Sequence, residues 1–500
     1  MSDYPLLSIM IWFPIVIGLI LINNKNISKL SSSLITILTS IIIFTFSILL
    51  FTYYDYSSSE LQFIEKHEWI AGMNIFYFLA VDGISVSLII LTAFINVLIA
   101  IFASSEEYDN KSGYLGYFLI LEGLLMGTFT AFDSILFYIF FESLLIPLFL
   151  IIGIWGGSNR KYATIKFFLY TLFGSVLMLI SILYLANLAE SFEIKDFYFL
   201  DLTFKEEILI LFAFLIGFGI KIPIWPVHTW LPDAHVEAPT SGSVILASVL
   251  LKVGGYGMIR FMLPITTEAG IFLSEYLIYL SLIAIVYISF VAYAQEDMKK
   301  LIAYSSVAHM GFVTLGIFLV FNLIGSNSSA AIIGLEGSII QMISHGLISA
   351  ALFFCIGIIY KHSKSRLIKD NYGVAQFMPV FSFMMIFFLM ANSGLPGTSG
   401  FVGEFLVITS SLGSDFLIAM LAASSLILSA SYSLKIGKNV LFGENKDNIQ
   451  TYSDCKKNEK IVLGVLIILI IYLGITPDIL FKLIDQTVID IISSISKGYI

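Results

Sequence analysis

Four charged side chains stand inside long apolar runs, where a central lysine or aspartate costs about 2.5 to 3.5 kcal/mol to insert into a bilayer. Glu142 lies in FYIFFESLLIPLFL, ahead of Pro147; Lys221 lies in LIGFGIKIPIWP, Lys252 in SVILASVLLKVGGYG, and Glu404 in SGLPGTSGFVGEFLVI. Two acids and two lysines on separate segments suit a proton relay, because a carboxylate moving toward or away from a desolvated amine switches the amine's hold on its proton. The alternative is a set of buried ion pairs that only fix helix register. His309 in AYSSVAHMGFV and His345 in QMISHGLISAALFF sit among apolar and hydroxyl residues. An imidazole there can pass protons or serve as a hydrogen-bonded core group. His228 and His235 straddle Pro232 in HTWLPDAHVEAPTSGS, which disfavours one haem-ligating helix face. In the same turn Asp233 and Glu237 read as caps of the following helix, with proton entry as the other possibility. His67 and His362 are expected in polar, solvated loops.

What must hold these groups is a membrane protein. The 500 residues are 58% hydrophobic and 12% charged, about half the roughly 25% charge of a soluble domain. A soluble globule is excluded, and lipid is the solvent. A net charge of −9 without a basic face leaves no footprint for nucleic acid. Cys355 and Cys455, far apart and outside any CxxC, supply no zinc or iron–sulfur framework. The first apolar run, Pro5 to Ile22, lacks a basic lead-in and reads as a retained helix.

The predicted fold is all-α, with about 14 transmembrane helices: 5–22, 30–54, 78–104, 113–131, 134–156, 165–190, 207–229, 241–264, 273–294, 300–321, 329–360, 375–412, 415–440 and 459–475. The span at 329–360 is too long for one straight crossing and is expected to start in a loop. The seventh and twelfth helices are broken, the seventh by Gly217, Gly219, Pro223 and Pro226 around Lys221, the twelfth by Gly394, Pro396, Gly397 and Gly400 ahead of Glu404. These breaks occupy matching fourth places in two five-helix blocks of opposite orientation, 113–264 and 273–440, the pattern of an inverted-repeat transporter. A three-helix segment, 1–112, precedes them, and a last helix with a C-terminal amphipathic stretch, 441–500, follows. In that stretch Ile479, Leu480, Leu483, Ile484, Val488, Ile491 and Ile495 recur at helical spacing, with Asp485, Asp490 and Lys497 between them. It reads as a helix on the membrane surface or against a neighbouring chain.

Loop charge supports the count. Lys25 and Lys29, Arg160 and Lys161, Lys299 and Lys300, Lys361 to Lys369, and Lys435 to Lys460 fall in odd-numbered loops, which places those loops in the cytoplasm and both termini outside. The acidic loops around Glu65 and Glu193 are even-numbered. Loop 3, with Glu106, Glu107 and Asp109 against Lys111, is the misfit. No P-loop and no dinucleotide fingerprint occurs, so ATP and NADH are not handled by this chain, and energy must come from an ion gradient or from partner subunits.

The run IKIPIWPVHTWLPDAHVEAPTSGSVILASVLLKVGGYGMIRF, with IAYSSVAHMGF, SHGLISAALFF and SGLPGTSGFVGEF, resembles the proton-conducting antiporter-like subunits of respiratory complex I over residues 78–440. Glutamate at 404, where related subunits carry lysine, resembles the branch called subunit M or chain 4. The resemblance implies a membrane-arm subunit of NADH:quinone oxidoreductase that moves protons outward. Glu142 and Lys221 would form a switchable ion pair, Lys252 the central carrier, His309 and His345 the link between half-channels, and Glu404 the outward terminal group. It implies antiporter-like neighbours on both sides, and NADH, FMN, iron–sulfur clusters and quinone on other subunits, with no cofactor or metal on this chain. The expected location is a bacterial inner membrane, or alternatively the mitochondrial one. A gradient-driven cation/proton antiporter of the same fold is the nearest rival, followed by a scaffold subunit and a quinol-oxidising cytochrome.

Overall fold

In lipid a backbone must satisfy its own hydrogen bonds, so apolar runs of this length become helices. The computed structural model describes residues 5–24, 27–443 and 452–497; Lys25, the 444–451 stretch and the side chain of Lys497 lie outside the described residues. α1 (Leu6–Asn23) and α2 (Lys29–Tyr53) are followed by a hairpin of β1 (Gln62–Ile70) and β2 (Ile75–Val81), then α3 (Gly83–Ser104). The next group is α4 (Lys111–Thr130), α5 (Ser134–Trp155), α6 (Arg160–Ala189), α7 (Phe204–Lys221), α8 (Trp230–Glu237) and α9 (Thr240–Ile265). There follow α10 (Thr267–Ala294), α11 (Met298–Leu323), α12 (Ser328–Ser363), α13 (Pro379–Asn392), α14 (Ser399–Leu412) and α15 (Phe416–Leu441). α16 (Lys457–Ile475) and α17 (Asp478–Lys497) complete the chain.

Twelve of these helices are long and apolar enough to cross a bilayer. The two predicted spans outside that dozen are the two with breaks. α7 stops at Lys221 and α8 resumes at Trp230; α13 stops at Asn392 and α14 resumes at Ser399. In the second break Gly394 (φ 74°) and Gly397 (φ 90°) take left-handed conformations that suit glycine. The most apolar stretches of α9 and α12 are wholly buried, whereas those of α1, α2, α15 and α16 are about one third buried. Protein therefore surrounds the helices that carry Lys252 and His345, and lipid-facing helices surround those.

Several expectations are corrected. Residues 78–81 belong to β2, and helix α3 starts only after Asp82, whose side chain accepts from Ser85 N at 3.0 Å as its N-cap. His67 stands on β1 and His362 in the last turn of α12 rather than in loops. α12 does not begin in a loop but is one helix of 36 residues, about 54 Å long at 1.5 Å per residue. It can exceed the bilayer because its flanks are covered by protein instead of lipid. Lys299 is no solvated loop residue; it is 5% exposed in the first turn of α11. Glu237 and Asp233 do not cap α9, whose N-cap is Pro239 without a side-chain bond. Instead Glu237 Oε2 accepts from Asn159 N at 2.8 Å at the start of α6, and Asp233 pairs with Lys166 at 2.7 Å. Loop 3 ceases to be a misfit, since Glu106 pairs with Lys361 at 2.7 Å and so shares the lysine-rich side.

α17 is amphipathic, but its apolar face is covered by this chain's own α3 and α12 rather than by a neighbouring chain. Gly83 N donates to Thr487 Oγ1 at 3.1 Å, and a Cβ on Gly83 would lie 1.8 Å from the Leu483 carbonyl oxygen. Gly83→Ala is expected to push α17 off α3 at a cost of about 1 to 3 kcal/mol. Limited proteolysis should then cut α17 faster than in wild type, while Gly72→Ala, with open space around it, should change nothing; equal cleavage of all three would refute the close-contact reading.

Candidate proton relay

α9 is not uniformly α-helical. Leu246–Leu250 and Met258–Met262 are π-helical turns, and Lys252 lies between them. Such turns widen the helix and recur at functional sites. Here the widened turn directs a carbonyl at the ammonium: Lys252 Nζ donates to Ala247 O at 2.6 Å. The same nitrogen lies 2.7 Å from His345 Nδ1 on α12. The His345 ring faces that of His309 on α11, with centroids 5.9 Å apart. His309 Nδ1 is 2.7 Å from Glu404 Oε1 on α14, and its Nε2 is 3.2 Å from the Tyr432 hydroxyl on α15. Gln341, one turn before His345, donates Nε2 to the same Glu404 oxygen at 3.1 Å. Lys252, His345, His309 and Glu404 are all buried, none more than 6% exposed.

A cavity of about 10 Å³ lies among His309, Gln341, His345, Asn392 and Glu404, room for about one water. Three buried atoms of its lining residues, His345 Nε2, Gln341 Oε1 and Glu404 Oε2, have no protein partner among the described residues. A water there would meet enough polar groups to be held, and it would shorten the step between the two imidazoles.

Glu142 and Lys221 stand apart from this line. Pro147 has no N–H for the carbonyl of Ser143, and α5 is interrupted at Leu144, directly after Glu142–Ser143. At the other end of the helix Asp133 accepts from Ile135 N and Leu136 N, both at 3.0 Å, and from Phe76 N of the hairpin. Burial pushes its carboxyl up to about 6. Lys221 ends α7, where Trp230 Nε1 donates to the carbonyl of Ile220 at 2.9 Å. The Lys221 ammonium has no hydrogen-bond partner among the described residues and lies 4.4 Å from the centre of the Phe141 ring, next in sequence to Glu142. Glu142 Oε2 is likewise unpartnered, and no contact ion pair joins the two. They are within electrostatic reach of each other, an open pair rather than a closed one.

The sequence reading missed further buried charges, Lys299, Asp82, Arg260 and Glu122 among them. Lys299 Nζ donates to His235 O at 3.2 Å, Ala238 O at 2.7 Å and Ser243 Oγ at 3.1 Å. The His235 imidazole, stacked on Phe353 at 4.6 Å, has both nitrogens unpartnered and lies within reach of the charges of Lys299 and Lys252. Asp82 pairs with Arg260 at 2.5 Å, both side chains under 5% exposed. Glu122 on α4 is fully buried and accepts from Ser40 Oγ at 3.0 Å. The runs LILEGLL and GYGMIRFML around Glu122 and Arg260 carry the same mark that singled out Glu142. Among the described residues no group of three His, Cys, Asp or Glu side chains could hold a metal ion.

Residues 131–429 match the family model described as NADH:quinone oxidoreductase/Mrp antiporter, transmembrane. The NADH-quinone oxidoreductase subunit M of Rhodobacter capsulatus is 45% identical over 474 residues, which cover 92% of this chain and 90% of that one. The NADH-ubiquinone oxidoreductase chain 4 of Marchantia polymorpha is 40% identical, with 98% and 97% covered. Among solved structures, a chain of respiratory complex I from Thermus thermophilus with bound NADH superposes with a TM-score of 0.88 at 26% identity, covering 98% of this chain and 99% of that one. A chain of the Mrp complex from Dietzia sp. shares the fold, with a TM-score of 0.84 at 17% identity and 98% of each chain covered. A line of buried Lys, His and Glu on broken and π-bulged helices is thus found in a multi-pass membrane protein of the NADH:quinone oxidoreductase/Mrp antiporter transmembrane family, and within that family the chain belongs with subunit M and chain 4.

Proposed function

We propose that the chain translocates protons across the membrane as an antiporter-like subunit of NADH:quinone oxidoreductase, driven by quinone reduction elsewhere in the complex. The observation that carries the proposal is the line Lys252–His345–His309–Glu404, in which every member is buried and each is placed against the next. A proton on the Lys252 ammonium has His345 Nδ1 at hydrogen-bond distance to receive it. From His345 the transfer to His309 crosses the small polar cavity, and Glu404 Oε1 then takes the proton from His309 Nδ1. Tyr432 and Gln341 orient the terminal pair. On the other side Lys299 and His235 form an approach to Lys252 from the lysine-rich face. Glu142 and Lys221 act as the gate: bringing the carboxylate into contact would favour a proton on Lys221, and separation would release it.

The two breaks in corresponding places support a pair of inverted five-helix blocks, 113–264 and 273–440. The partners are other membrane-arm subunits, with antiporter-like neighbours on both sides, and lipid around the rest. NADH, FMN, iron–sulfur clusters and quinone belong to other subunits, and this chain carries no redox centre. We place it in a bacterial inner membrane, with the mitochondrial inner membrane as the alternative; relatives of both kinds match at 40% identity or more.

Glu142→Gln in the native complex tests the proposal. NADH oxidation and NADH-driven vesicle acidification, normalised to assembled complex, are expected to fall together to below about a tenth, as loss of a proton-transferring group typically costs 100-fold or more. Persistence of both at wild-type rates per complex would make this half-buried carboxylate structural and remove Glu142 from the coupled proton path.

A further inference from the structure

A cleft of about 920 Å³ opens between α10, α13 and the end of α15 and shares no lining residue with the small polar cavity. Its wall is apolar, formed by Phe290 on α10, Leu389 and Met390 on α13, and neighbouring side chains. Lys435 and Lys438 line it at the end of α15, on the side where the lysine-bearing connections gather. Lys435 is fixed: its ammonium donates to the carbonyls of Tyr293 at 2.6 Å and Gln295 at 3.0 Å, and lies 5.1 Å from the centre of the Tyr293 ring. That leaves one of its three N–H groups free. Lys438 is exposed and has no hydrogen-bond or ion-pair partner among the described residues. Among the described residues no Asp or Glu lines the cleft, whereas Lys66, Lys166 and Lys361 all face acids.

We infer that this cleft is a binding site for one anionic phospholipid, its phosphodiester on Lys435 and Lys438 and an acyl chain along Phe290, Leu389 and Met390. Charge complementarity selects the head group, because two cations without a counter-charge among the described residues stand where a bilayer's phosphates lie. The apolar wall selects a lipid over a soluble phosphate, since aliphatic and aromatic side chains offer such an anion nothing. The volume is at the upper end of that of small-molecule sites, which reach about 1,000 Å³. The exposed Tyr293 and Phe442 belong to the aromatic belt that marks the head-group level. The inference is independent of proton transfer and stands or falls by itself.

The test uses the intact complex in nanodiscs with matched photoactivatable phosphatidylglycerol and phosphatidylcholine, labelled in the acyl chain, followed by peptide mass spectrometry. Phosphatidylglycerol is expected to label the α13 and α15 peptides several-fold more than phosphatidylcholine. Lys438→Gln should lower that labelling about fivefold, toward the phosphatidylcholine level, with NADH oxidation per complex unchanged. Met390→Trp, which fills the wall, should lower labelling by both lipids. Equal labelling by the two lipids, indifference to Lys438→Gln, or cross-links running only to a neighbouring subunit would each overturn the inference.

Discussion

Lys252→Met is expected to reduce NADH-driven acidification by about a hundredfold per assembled complex, the low end of what removing a positioned acid–base group costs. Methionine keeps the unbranched stem and removes the ammonium, so the helix and its surroundings persist. What is lost is the only group that reaches both the widened turn at Ala247 and the ring of His345. The proposed relay is linear here, and among the described residues no second side chain of α9 hydrogen-bonds to His345, so no detour remains. Folding should survive, because the substitution leaves two neutral groups without a donor, at about 1 to 3 kcal/mol each, rather than a stranded charge. Vesicle acidification with assembly verified by blue-native gel measures this directly. A variant that retains a third or more of the wild-type rate would remove Lys252 from the path.

The second large effect is on stability. Asp82→Ala leaves Arg260 buried and uncompensated, a cost of about 3 to 5 kcal/mol for breaking a buried pair. The guanidinium also packs against Phe132 and Tyr256, at 4.9 and 5.2 Å, and so cannot turn toward solvent. Assembled complex in membranes should drop several-fold or more. Asp82→Ala with Arg260→Met should restore most of it, since removing both charges is far cheaper than removing one. Normal accumulation of the single variant, or a double variant no better than the single, would refute a structural pair.

The site was more legible than the fold that frames it. A charge in an apolar run announces itself because lipid makes it expensive, and Glu142, Lys221, Lys252 and Glu404 were visible for that reason. His309 and His345 followed from their apolar and hydroxyl surroundings, but that each serves a different partner is a three-dimensional fact. Lys299 was hidden by its position: adjacent to Lys300 at the end of a run, it has the look of a loop lysine, and only the arrival of the α8 carbonyls buries it. The hairpin was hidden because β2, IFYFLAV, is as apolar as the ISVSLII of α3 and only Asp82–Gly83 separates them, and a short apolar run does not distinguish strand from helix. α12 was misread for a related reason: span-length arithmetic assumes lipid on the outside, and α12 has protein there.

The π-helical turn at Leu246–Leu250 sets a reading frame. A π turn holds one residue more than an α turn, so everything after it is rotated by about 100° relative to a regular helix. Lys252 reaches His345 only in that shifted frame. Winding this turn as a regular α-helix with every residue kept would strengthen its backbone bonds and aim the lysine about 100° away, at the wrong neighbour, whereas deleting one residue between 246 and 250 would heal the helix and leave the lysine's direction unchanged. At this place the contact between Lys252 and His345 is held in a count of residues as much as in their identity: regularising the helix without removing a residue, a standard route to a more stable protein, would break it.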